Sequence, residues 1–194
     1  MANAVTKLAT LTPTGATVAT FNSIPQTYDD IKIIGSCKTD STNSNQNRLY
    51  SRLYYQFNND TGFNYNSHYL YTDGASTIGV ETFVGGTGTS NMYLSAAPTS
   101  YNSGTAGWGS FEMDIFGYSV ATSANPTYLG KPHRVRNCYD FASASTAYGG
   151  AQIANNNYGI ITGTNTAISR IDFKTIWGNY KAGTTFTLYG IKNT

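Results

Sequence analysis

The sequence predicts an all-β fold: two antiparallel sheets packed as a β-sandwich, with little helix. Three observations predict it. Short apolar–polar alternations recur along the chain, separated by clusters of Gly, Pro, Asn and Ser. The stretch from Ile168 to Lys192 reads as two strands and a turn. Aromatics reach 14%, with 16 Tyr, while charged residues make up only 11% of 194 residues. A chain of this length buries a sufficient core unaided, and the aromatic content sets it apart from disordered low-charge sequences.

The strands follow in order. Val5 to Leu11 is a first strand, ended by Pro13 and Gly15, and Ala16 to Phe21 is a second. Ile31 to Cys37 places Ile31, Ile33 and Cys37 on one face. Leu49 to Phe57 alternates most clearly, with Leu49, Leu53, Tyr55 and Phe57 inward and Tyr50, Arg52, Tyr54 and Gln56 outward. Asn58 to Gly62 is a turn cluster able to take left-handed or Asx geometry. Asn64 to Tyr71 lacks a strand period and predicts a helical turn or two.

Weaker strands run near Val80 to Val84 and Asn91 to Ala96, separated by the Gly85–Thr89 loop, and Tyr101 to Gly109 is a second loop. Phe111 to Ile115 turns Phe111, Met113 and Ile115 inward. Arg134 to Phe141 does the same with Val135, Tyr139 and Phe141. Asn155 to Asn157 marks a turn before a strand from Tyr158 to Thr162. In the closing pair, read as a hairpin, Ile171, Phe173, Thr175 and Trp177 share one side. Phe186, Leu188 and Gly190 share a side of the last strand. About eight to ten strands result. Residues 1–15 form a short N-terminal arm or first strand, and residues 16–194 a single sandwich domain.

Net charge is +2, and the densest basic group, Lys131, Arg134 and Arg136, merely alternates along one strand. That is too little for a phosphate-tracking groove, so no nucleic-acid partner is expected. No signal peptide and no apolar run of membrane-spanning length is present, so no membrane partner is expected. Cys37 and Cys138 read as buried or half-buried thiols.

Catalytic chemistry finds little support. The chain has two glutamates, Glu81 and Glu112, and eight aspartates. Glu112 and Asp114 share an outward strand face and are the best carboxylate pair, but they read as a solvated face rather than a glycosidase pair. Asp60-Thr61-Gly62 matches the aspartic-protease triplet in an Asn-rich turn, with no second copy. His68 and His133 have no neighbours at metal-ligand spacing. No catalytic residue, no metal and no cofactor is expected. The binding candidates are outward or loop aromatics: Tyr50, Tyr54, Tyr69, Tyr71, Tyr101 and Trp108. They suit either packing between subunits or stacking on a sugar.

With the strands placed, the order of signals from Ala16 onward resembles a jelly-roll-like β-sandwich of tailed-bacteriophage structural proteins. Phe21-Asn22-Ser23-Ile24-Pro25-Gln26-Thr27-Tyr28 leads into Ile31-Lys32-Ile33-Ile34. Phe57 to Gly62 with Asn64-Tyr65 follows, then Ile168 to Phe173 and Gly183 to Ile191. The resemblance implies a non-enzymatic virion protein that is commonly a homotrimer. Such a protein would decorate or cement the capsid, or form a short head or tail fibre tip. Its partners would be copies of itself and a major capsid or tail protein. A host surface glycan is the partner under the rival reading of a receptor-binding tail-fibre module. The chain lacks the heptads or β-helix repeats of a long shaft.

Overall fold

In a computed structural model of the protein, residues 4–40, 50–62, 65–72, 78–83, 92–98, 108–120, 131–142, 147–158 and 166–193 are described. They contain twelve strands and no helix. These are β1 (Ala4–Leu11), β2 (Val18–Phe21), β3 (Asp30–Cys37), β4 (Tyr50–Phe57), β5 (Tyr65–Thr72) and β6 (Ile78–Phe83). The rest are β7 (Met92–Pro98), β8 (Gly109–Ile115), β9 (Lys131–Ala142), β10 (Ala147–Tyr158), β11 (Ile171–Thr175) and β12 (Thr185–Lys192). One sheet runs β1-β12-β3-β8-β9-β10-β5-β6 and the other β2-β11-β4-β7, every pairing antiparallel.

The pairing is nested. β1 pairs with β12, β2 with β11, β3 with β8 and β4 with β7, as when one long hairpin folds over on itself. That is jelly-roll order. Between β4 and β7 the chain inserts β5–β6, and between β8 and β11 it inserts β9–β10. Both insertions join the larger sheet beyond β8 and widen it by four strands.

The inner faces follow the alternation. Ile31, Ile33 and Cys37 of β3, Phe111, Met113 and Ile115 of β8, and Phe186 and Leu188 of β12 are buried. They face Phe21, Leu53, Tyr55, Phe57, Ile171 and Phe173 from the smaller sheet, all buried too. Phe173 sits at the centre, with ring centroids 5.0 Å from Phe186, 5.5 Å from Phe111 and 6.3 Å from Phe21. Rings this large carry much of the burial that stabilises such a core. Space is tight: a Cβ at Gly35 would run into the rings of Phe111 and Phe186.

The largest correction concerns the closing hairpin. β11 and β12 do not pair; they lie in opposite sheets, and residues 176–184 carry the chain across the end of the sandwich. Phe173 and Phe186 therefore stack across the core rather than along one ribbon. Alternation fixes which face of a strand is buried, but not which sheet the strand joins.

Three further expectations change. Of the Asn64–Tyr71 stretch expected to be helical, residues 65–71 belong instead to β5, between β6 and β10. Asn155–Asn157 is no turn but runs inside β10, its backbone paired with β9 on one side and β5 on the other. Pairing on both sides outweighs the poor strand propensity of Asn, and these two strands raise the count above ten. Gln56, expected on the outward face, is buried and accepts from Lys174.

Other readings agree. The Asn58 turn is left-handed, with φ of 51° at Asn58 and 56° at Asn59, and Asp60 Oδ1 accepts from Gly62 N at 2.7 Å in an Asx turn. Asn58 also accepts from Ser169 N at 2.9 Å and donates to Ala167 O at 2.9 Å, tying the end of β4 to the approach to β11. β1 is the edge strand of the larger sheet rather than a loose arm. The Gly85–Thr89 loop and residues 159–162 of the Tyr158–Thr162 strand lie outside the described residues.

Candidate functional surface

The aromatic candidates on strands divide between the two sheets. Tyr50 and Tyr54 lie on β4 in the smaller sheet, where Tyr50 pairs with Pro98 and the half-buried Tyr54 lies opposite Lys174 and Tyr93. Tyr69 and Tyr71 lie on β5 in the larger sheet, opposite Ala154 and Gln152. In register, Tyr69 falls in the row through Ala154, Val135, Met113 and Ile33. Tyr101 lies outside the described residues. Trp108 stands just before β8 at one end of the sandwich and is 42% exposed.

The outward carboxylates are tightly partnered. Glu112 and Asp114 project from β8 between Lys32 of β3 and Arg134 and Arg136 of β9. Lys32 Nζ bonds Glu112 and lies 3.1 Å from Asp114. Arg134 reaches Asp114 at 2.9 Å and Arg136 reaches Glu112 at 3.0 Å. Burial raises the Asp114 pKa, but the bonds from Arg134 and Lys32 outweigh it and hold the carboxyl below its ordinary range. The bond from Lys32 likewise lowers Glu112. Both groups are ionised at neutral pH, so neither is the protonated acid that a glycosidase pair needs. Asp114 is buried despite its outward register.

His133 has turned inward, between the sheets. Its Nδ1 lies 2.9 Å from the Lys131 carbonyl and so carries the proton, leaving Nε2 to accept from the Tyr55 hydroxyl. The rings of Tyr55 and Phe57 pack edge-on against it, at 5.4 and 5.2 Å. Burial pushes its pKa down to about 4. The neighbouring Lys131 is also buried and donates to the carbonyls of Gly117, at 2.9 Å, and Val120; burial lowers its pKa. These bonds pin the turn after β8, so both residues serve the architecture.

The thiols separate. Cys37 is buried, which pushes it up to about 12, whereas Cys138 is exposed rather than half-buried, with Sγ 3.0 Å from Ser110 Oγ. Both are free. Among the described residues, no group of three or more His, Cys, Asp or Glu side chains could hold a metal ion. None of the described helical segments is long and apolar enough to cross a membrane, there being no helix among them.

Sequence reading missed the surroundings of Trp108. The β3–β8 register ends with Cys37 opposite Gly109, which puts Lys38 and Trp108 at the next positions of adjacent strands. The turn before β12 crosses this point, with Lys181 N donating to Lys38 O at 2.9 Å. Lys38 and Lys181 are 143 positions apart in sequence and carry no local pattern, so no motif could have joined them; Gly183 in the turn was the one available signal.

Compared with family models, curated proteins and solved structures, the chain finds no match.

Proposed function

We propose that the protein is a non-enzymatic structural component of a tailed-bacteriophage particle. It docks on the exterior as a homotrimer, assembled in the host cytoplasm, and decorates or cements the capsid or forms a short fibre tip. The observation that carries this reading is the nested strand order, the architecture implied by the family resemblance of the sequence. The surface chemistry supports it as well. The composition, with charged residues at 11%, favours a surface polar through hydroxyls and amides, and the charges of Lys32, Glu112, Asp114, Arg134 and Arg136 on the outer face of the larger sheet are largely spent on one another. Such a face suits wet, hydrogen-bonded contacts repeated over many copies. Closed symmetry would keep those contacts from growing without limit.

Sedimentation of the purified protein with and without particles stripped of it tests this. The expected result is a trimer that rebinds the particle surface in saturable, symmetry-related copies. A monomer at high concentration that fails to sediment with the particle contradicts it. The second reading, a carbohydrate-binding host-recognition module, is favoured by one observation, the exposed indole of Trp108 at the loop end of the sandwich.

A further inference from the structure

The outer face of the larger sheet carries more than its ion pairs, and its rows continue to the β1 edge. Arg134, Asp114 and Lys32 share a row with Tyr189 and Lys7, while Arg136, Glu112 and Ile34 share the next with Thr187 and Thr10. On the other side of Lys7, Val5 pairs with Ile191, and Ile191 with Asp30. Gly117 N donates to Asp30 at 2.8 Å, which holds Phe116 beside that row. Apolar side chains stand open here: Val5 is 60% exposed, Ile34 47% and Phe116 43%. Apolar anchors set among Arg and Tyr are the make-up of a protein contact.

The polar capacity of the face is lopsided. Each of its carboxylates is engaged twice over: Glu112 by Lys32 and Arg136, Asp114 by Lys32 and Arg134, Asp30 by Gly117 N and Asn193. The donors are not. Lys7 is exposed and has no partner among the described residues. Arg134 Nε is shut off from water without an acceptor. Arg134 and Arg136 each spend only Nη2 on a carboxylate and stay nearly half exposed. What the face lacks is acceptors, and guanidinium groups take carboxylates best.

A second copy does not supply them. The same face set against itself opposes donors to donors. The described carboxylates elsewhere are engaged: Asp29 with Lys192, Asp40 with Asn179, Asp60 with Gly62 and Asp172 with Arg170. A polyphosphate backbone fits no better, because three carboxylates lie among the cations. We propose that the outer face of β1, β12, β3, β8 and β9 docks on a different protein, at a surface where carboxylates flank an apolar patch. Lys7, Arg134 and Arg136 meet the carboxylates, and Val5 and Ile34 meet the apolar part. The proposal rests on the reading of the chain as a particle component, and its partner is then an acidic protein of the particle surface. Strands about 4.8 Å apart make the face about 20 Å wide and roughly 500 Å² in area. That is below the ~800 Å² per partner of a standard interface, so one copy binds weakly and several held together bind firmly.

Co-sedimentation of the intact protein with particles stripped of it, at rising salt, tests the face. The expected result is binding that weakens as salt rises. Lys7→Glu should lower affinity about fivefold with an unchanged melting temperature and the trimer intact, since Lys7 touches nothing. Ile34→Asp should lower it about tenfold. Lys181→Glu, the same charge reversal on the turn before β12, should leave binding as it was. If Ile34→Asp fails to fold, the Lys7→Glu and Lys181→Glu comparison still decides. Wild-type binding that all three variants affect equally overturns the docking face and leaves the particle role standing. Wild-type protein that never sediments with the particles overturns the particle role, and this face with it. Loss of the trimer in Lys7→Glu makes the face a contact between copies, which also overturns the proposal.

Discussion

The two faces of β3, β8 and β9 obey different physics. The face turned toward the smaller sheet is a continuous apolar layer, Ile33 to Met113 to Val135, in which the buried base His133 is held neutral. The opposite face, one residue out of phase, carries Lys32, Asp114 and Arg134 in one row and Ile34, Glu112 and Arg136 in the next. The inner face supplies the free energy of folding and tolerates no unpaired charge. The outer face contributes little net stability, because partly exposed ion pairs lose in desolvation and ordering much of what they gain. It does fix register, since a one-residue slip would carry three cations and two anions into the core. An outer face relieved of folding duty is free to become a contact surface.

Removing the chain from Phe186 onward is the harshest way to break this contrast. β12 lies between β1 and β3, so its loss strips Phe186 and Leu188 from the core and detaches β1 from the sheet. Each such side chain is worth about 1.5–3 kcal/mol against a total margin of ~5–15 kcal/mol. The expected outcome is a chain without a cooperative thermal transition by circular dichroism.

Acid comes next. The folded pKa of His133, about 4, lies below the unfolded value of 6.5. The unfolded chain therefore binds the extra proton. Stability is complete above pH 6.5 and falls as pH drops toward 4, by about 3 kcal/mol in total. Glu112 and Asp114, whose pKa values are lowered, keep their contribution above their ordinary values of 4.5 and 3.8 and lose it as pH falls through and below them, so most of the His133 loss comes first. Denaturant melts at pH 7 and pH 4.5 should show the loss in wild type and its near absence in His133→Leu. An identical slope in both would remove His133 as its source.

Smaller effects are expected outside. Asp114→Asn, at a buried position with two cationic partners, should cost about 1–2 kcal/mol, between the values for exposed and buried pairs. Glu112→Gln should cost below about 1 kcal/mol. Both variants should retain particle binding, measured by co-sedimentation. A variant as stable as wild type that lost function would make this carboxylate pair more than a register device.

The inner faces were legible in the sequence because burial imposes a period of two, and Phe111-Met113-Ile115 and Phe186-Leu188 read correctly. The left-handed Asn58 turn was legible because Asn tolerates positive φ. Strand partnership was not. β11 and β12, adjacent in sequence and both well patterned, part into opposite sheets because nesting pairs each with a distant strand. β5 and the Asn-rich part of β10 hid because pairing on both sides holds them extended whatever their propensity. Trp108 stands exposed just before β8, and the backbone bond that joins Lys181 to Lys38 arises through tertiary structure alone.

The central claim is a structural role on the outside of a phage particle. Imaging particles that carry this protein with a labelled C-terminus tests it most directly. The account predicts label density on the exterior in three-fold groups at regular positions on the head or tail, lost when β12 is deleted. Label absent from the purified particle, and found only in soluble host fractions, would contradict it.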